Sequence, residues 1–162
     1  MDQPLFELSQ RVGQALLARG WMMASAESCT GGWVAECITM VSGSSQWFDR
    51  GFVTYTNRAK EEMLGVRADT LRTQGAVSEQ TVCEMVDGAL HDSQASIAVA
   101  ISGVAGPTGG SPDKPVGMVC IAWGVKGKAA QSVRYQFDGD REAVRRQSVI
   151  AALNGLLERA FD

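Results

Sequence analysis

The sequence is poor in histidine: a single one, His91, stands in 162 residues. An ordinary Ser-His-Asp relay is therefore available only if His91 serves. In ALHDS it closes a predicted helix, where a solvated, helix-terminal role is the expectation. Cysteine is also sparse. Cys29, Cys37, Cys83 and Cys120 lie far apart with no C-x-x-C pair, so metal-ligand spacing is missing and no metal or cofactor is expected. Three of them fall within predicted helices or strands, where a free thiol behaves as a small core hydrophobe; Cys29 is the exception. No apolar run is long enough to cross a bilayer, and MDQPLFELSQ lacks a basic segment leading into an apolar one. A soluble, cytoplasmic protein without membrane partners is the expectation. Positive charge is not in surplus either: the formal net charge of -3 argues against a general nucleic-acid binder. No repeat, low-complexity tract or linker interrupts the chain, and its length fits one domain over residues 1–162.

What is present is an alternation of helical and extended patterns. Pro4, Leu5, Leu8, Val12, Leu16 and Leu17 have helical spacing, with Gly20 as the stop. Trp21 to Ala26 reads as a short buried strand, and a helix follows from about Gly31 to Met40. Gly51 to Thr56 alternates and is rich in β-formers, so it predicts a strand, after which Asn57 is expected to cap the helix RAKEEML. A loop holding Gly75 precedes a helix capped by Ser78. ASIAVAIS, VGMVCIAWGV and AAQSVRYQF predict three further strands, the last two joined by the turn KGK, and a closing helix spans about Arg141 to Phe161. Helices alternating with strands, plus one hairpin, predict a three-layer α/β/α sandwich with a mixed sheet.

In open α/β sheets ligands bind beyond the carboxyl ends of strands. Three segments that follow predicted strands, AESCTGG, TYTNRAK and SGVAGPTGG, are rich in glycine, hydroxyl or amine groups. In the first, Ser28 sits on a tight strand-to-helix turn, a position suited to a nucleophile or to anion binding. The plainer reading, and the stronger one on local grounds, is that Ser28 or Thr30 caps the next helix. Cys29 competes as a nucleophile without a nearby histidine. Lys60 reads equally as an exposed helical lysine or as a partly buried base that substitutes for the missing histidine. Tyr55 reads as a strand aromatic. The glycines from Gly103 to Gly110 let backbone N–H groups approach a ligand, but this is not a Walker loop, because G-K-[ST] is missing. Arg141 and Arg145 stand one turn apart at a helix start, where a cation opposes the dipole; Arg141 suggests anion binding as readily as a solvated charge.

Taken in order, AESCTGG, SGSSQWFDRGFVTYTNRAK, GAVSEQT, SGVAGPTGG, KPVGMV and FDGDREAVR resemble the CinA C-terminal domain family, whose stand-alone members are nicotinamide-nucleotide amidohydrolases. The matching stretches run from Ala26 to Arg145, nearly the whole chain. The resemblance implies a Ser/Lys amidohydrolase that hydrolyses the carboxamide of nicotinamide mononucleotide to nicotinate mononucleotide and ammonia, with a small-molecule nucleotide as partner. It assigns Ser28 as nucleophile, Lys60 as base and Tyr55 as their support. Thr30, Gly31, Ser102, Gly103 and Arg141 are implied as substrate-binding, and the loop containing Gly43 as a contributor to oxyanion binding. Two departures, Ser102 where members also carry Thr and Met118 where a smaller residue is common, are expected to keep the hydroxyl and to alter packing only. The rival readings are a member that binds nucleotides without catalysis, and a competence- or damage-related interaction module. Larger members carry an additional N-terminal domain associated with ADP-ribose pyrophosphatase activity; none is expected here. A homodimer is the expected assembly if the chain self-associates.

Overall fold

The computed structural model describes residues 1–161. Six helices and five strands follow one another as α1 (Gln3–Arg19), β1 (Met23–Glu27), α2 (Trp33–Thr39), β2 (Phe48–Val53), α3 (Asn57–Leu64), α4 (Ala68–Gln74), α5 (Glu79–His91), β3 (Ile97–Gly103), β4 (Met118–Val125), β5 (Gln131–Gln136) and α6 (Arg141–Ala160). The strands form one mixed sheet in the order β2-β1-β3-β4-β5. β1 runs parallel to both β2 and β3, whereas β4 is antiparallel to β3 and β5. The three-layer α/β/α sandwich expected from the pattern is the observed architecture.

Alternation along the strands sorts two cores. Met23, Ile97, Val99, Ile101, Ile121 and Trp123 face the layer of α1, α2 and α6. Ala24, Ala26, Ala98, Ala100 and Ala122 face the layer that contains α5. The residues on this second face are small, so α5 packs close to the sheet. A Cβ placed on Gly124 would lie 2.4 Å from Val86 Cγ1 of α5. The same closeness recurs between helices, where a Cβ on Gly88 would lie 1.9 Å from the Leu64 carbonyl oxygen of α3. The packing of α3 on α5 is thus set by a residue without a side chain.

Three expectations need correction. The second strand begins at Phe48 and ends at Val53, so Thr54, Tyr55 and Thr56 form the loop beyond it. The cap of α3 is Thr56, whose hydroxyl accepts from the Ala59 N–H at 3.1 Å; Asn57 is already helical. The stretch before Gly75 is α4, not loop. Its N-cap, Arg67, supplies no side-chain bond. A residue of α5 does so instead: Glu84 accepts from the Arg67 N–H at 2.9 Å and from Thr70 Oγ1 at 2.6 Å. Among the described residues no helix is long and apolar enough to cross a membrane.

Candidate active site

Because β1, β2 and β3 are parallel, their carboxyl ends lie on one edge of the sheet, and the segments that leave them converge there. β1 delivers Ser28 directly after Glu27. The loop after β2 delivers Thr54 and Tyr55 and leads into α3, which carries Lys60 in its first turn. β3 ends in Ser102 and Gly103. Together with Cys29, Asn57, Ala76, Val77, Gly106, Thr108 and Arg141, these residues, Glu27 and Thr54 apart, line a cleft of about 280 Å³. A larger depression of about 400 Å³ lies between β5 and α6, but its wall of Trp123, Val133, Tyr135, Phe137 and Ile150 holds no nucleophile beside a base. Chemistry, not size, selects the smaller cleft.

At its floor, Lys60 Nζ lies 3.0 Å from Ser28 Oγ and donates to the Thr54 carbonyl at 2.9 Å. Lys60 is 1% exposed. Burial pushes its amine below the usual lysine value, because a desolvated cation is disfavoured; the nearby Cys29 opposes that shift. Among the described residues no carboxylate pairs with the amine. Lys60 thus donates one N–H to a carbonyl and keeps its Nζ in contact with the Ser28 hydroxyl.

The capping reading of Ser28 fails for a specific reason. The N-cap of α2 is Gly32, which makes no side-chain cap bond. Glu27 satisfies the start of the helix, accepting from the Val34 N–H at 2.9 Å, the Ala35 N–H at 3.2 Å and Thr30 Oγ1 at 2.7 Å. With its helix capped by a neighbour, Ser28 keeps its hydroxyl for Lys60. Cys29 is a poor nucleophile: burial raises its thiol to about 11, so almost no thiolate exists near neutrality.

At the mouth, Arg141 Nη2 donates to the Tyr55 hydroxyl at 3.0 Å and Nη1 to the Gly106 carbonyl at 2.8 Å. The bond ties the loop after β2 to the loop after β3 through the start of α6. Tyr55 is 59% exposed, so it is not the packed strand aromatic that local pattern suggested. His91 closes α5 as an exposed residue beside Asp92, outside the cleft.

The structure brings Ser28, Tyr55, Lys60, Ser102, Gly103 and Arg141 together. Thr30 and Gly31 do not line the cleft: Thr30 is fully buried on Glu27, and the Gly31 N–H donates to the Ser28 carbonyl at 3.0 Å. Their place is behind the turn, shaping it. Gly43 is not brought to the cleft either. It follows α2, which runs back along the sheet, and it lines a separate depression with Gln10, Gly13 and Trp47. Sequence reasoning missed Glu27, read Asn57 only as a helix cap and noted Arg145 only as a charge at the start of a helix. Glu27 was signalled, in retrospect, by a carboxylate seven and eight residues ahead of N–H groups that open a helix.

The model of the CinA C-terminal domain matches residues 5–160. A protein named nicotinamide-nucleotide amidohydrolase PncC from Escherichia coli strain K12 is 54% identical, with 98% of this chain and 96% of that protein covered. One of the same name from Pseudomonas putida is 56% identical over 96% of each chain. Among solved structures, a competence/damage inducible protein CihA from Agrobacterium tumefaciens superposes with a TM-score of 0.92 at 45% identity, covering 95% of this chain and 94% of that one. With its cleft and its sequence in agreement over nearly its full length, the chain belongs to the CinA C-terminal domain family.

Proposed function

We propose that the protein hydrolyses the carboxamide of nicotinamide mononucleotide to nicotinate mononucleotide and ammonia, with Ser28 as nucleophile and Lys60 as base. The reading is carried by the buried 3.0 Å contact between Lys60 Nζ and Ser28 Oγ. The names of the full-length relatives from Escherichia coli and Pseudomonas putida support the substrate.

Neutral Lys60 takes the Ser28 proton as Oγ attacks the carboxamide carbon. The oxyanion requires N–H donors in place of the Gly43 loop. Among the described residues, the backbone N–H groups of Ala105 and Gly106 on the cleft wall donate to no other backbone group, and that of Cys29 meets only its own thiol. They are the proposed donors. The tetrahedral intermediate collapses as the Lys60 ammonium gives its proton to the departing amine, releasing ammonia. Water then surrenders a proton to Lys60, attacks the acyl-enzyme and restores Ser28. Tyr55 and Arg141 at the mouth, and Ser102 and Gly103 in the wall, contact the remainder of the nucleotide. The pyridinium ring makes its carboxamide more electrophilic, so the dyad suffices without Lewis-acid help. The proposed partners are this small-molecule nucleotide and, as a homodimer, a second copy of the chain, which sedimentation in solution would read.

The test is ammonia release from nicotinamide mononucleotide by the purified protein. Turnover without added metal, undiminished by a chelator, is the expected result. No release above background, with folded protein, would return the chain to the non-catalytic reading.

A further inference from the structure

We infer that Arg145 is a positioning residue for the Ser28 nucleophile turn, holding its carbonyls away from the site where the oxyanion forms. The inference rests on the reading of Ser28 as nucleophile.

Arg145 lies in α6 one turn after Arg141, so both side chains leave the same face of the helix. Arg141 ties the mouth, whereas Arg145 reaches behind the turn. Its Nε donates to the Cys29 carbonyl at 3.0 Å and its Nη2 to the Thr30 carbonyl at 3.1 Å. The guanidinium lies 5.4 Å from the centroid of the Trp33 ring, a cation–π seat that fixes the fork from its other side. The preceding carbonyl, that of Ser28, accepts from the Gly31 N–H. Three successive carbonyls of the turn therefore have assigned donors: among the described residues Arg145 alone serves that of Cys29, and it shares that of Thr30 with the Trp33 N–H at 3.1 Å.

A trans peptide points its N–H opposite to its carbonyl. Holding the Cys29 carbonyl on Arg145 therefore turns the Thr30 N–H away from the guanidinium. Among the described residues the Thr30 N–H has no backbone partner, and the Cys29 N–H meets only its own thiol. Without Arg145 the peptide after Cys29 loses its hold, whereas the one after Thr30 stays tied through Trp33 and Ser28; the Ser28–Cys29 peptide, whose N–H is a proposed oxyanion donor, then loses its fixed neighbour. Negative charge developing beside Ser28 would then meet a poorly aimed Cys29 N–H, a loss felt in the transition state and not in substrate binding. A cation in the second turn of a helix also works against the helix dipole, so helix stability does not account for its presence.

The test compares Arg145→Met, which keeps the stem and removes the donors, with Arg145→Lys, which keeps one donor. Arg145→Met is expected to lower kcat about 100-fold, the cost typical of a small misplacement of the catalytic groups. KM should stay within about three-fold, and Arg145→Lys should recover part of the loss. A purely structural role would not produce the next effect. Affinity for the 3-formylpyridine analogue of the mononucleotide, which forms a hemiacetal with the nucleophile, should fall in step with kcat, while affinity for nicotinate mononucleotide is kept. Wild-type kcat in Arg145→Met, or equal losses of affinity for the aldehyde and the product, would overturn the inference. Where Arg145→Met does not fold, Arg145→Lys is measured alone and the same two affinities decide. Ser28→Ala separates the layers. Turnover surviving there removes the nucleophile reading itself, whereas a silent Ser28→Ala beside a normal Arg145→Met removes only the role of Arg145.

Discussion

At the scale of single residues, the account turns on a lysine that the fold keeps out of water. The unfolded chain holds Lys60 protonated up to about pH 10.4, while burial disfavours the cation in the folded protein. Below that pH the unfolded state binds more protons, so the cost of burying Lys60 shrinks as pH rises. Lys60→Met is expected to lower turnover by about 10²–10⁴-fold. The stability difference between the parent and this variant should shift in favour of the parent between pH 7 and pH 10, as read by denaturant unfolding. A difference that stays flat across that range would mean that Lys60 titrates normally. Activity of the parent should rise with pH through the same depressed value. Ser28 and Lys60 were legible in sequence only through the ordered motifs that contain them. Local pattern favoured a cap for Ser28 and left Lys60 open between a solvated charge and a buried base, because neither the role of Glu27 in capping α2 nor the depth of Lys60 is visible in neighbouring letters.

At the scale of elements, the strands that hydropathy alternation predicts are all present, and the misses follow one cause. Where an element is ended or capped by a distant group, its own letters carry no signal. α4 is the clearest case: its seven residues have no local cap, and Glu84 of α5 caps it instead. Glu84→Ala is expected to destabilise the protein by about 1–2 kcal/mol, since it leaves the Arg67 N–H and Thr70 hydroxyl without their acceptor. Chemical denaturation measures this, and a change below a few tenths of a kcal/mol would mean that α4 is held by packing of Leu71 alone. The displacement of β2 has the same origin. Thr54 has strand-like chemistry and its N–H still bonds the Glu27 carbonyl of β1, yet its own carbonyl holds Lys60, so the strand ends at Val53. The Gly43 expectation failed because motif order does not say to which edge of the sheet a loop returns.

At the scale of the whole molecule, the proposed catalytic pair is assembled by packing between layers. Ser28 comes from the sheet and Lys60 from α3, and the position of α3 depends on its close approach to α5 at Gly88. Gly88→Ala would push a methyl group into the Leu64 carbonyl. It is expected to cost about 1–3 kcal/mol of stability and to lower kcat as Lys60 is displaced. Unchanged melting and turnover would mean that α3 shifts without consequence for the dyad. The start of α6 completes the assembly, since Arg141 and Arg145 reach from one helix face to the loops that follow β1, β2 and β3.

The central claim, that Ser28 carries the acyl group, is tested most directly by acid-quenching the enzyme during turnover of nicotinamide mononucleotide and weighing its peptides. The account predicts an adduct on the peptide containing Ser28 equal in mass to the substrate less ammonia, absent in Ser28→Ala, which releases no ammonia above background. An adduct on Cys29, or ammonia released at the parent's rate by Ser28→Ala, would contradict it.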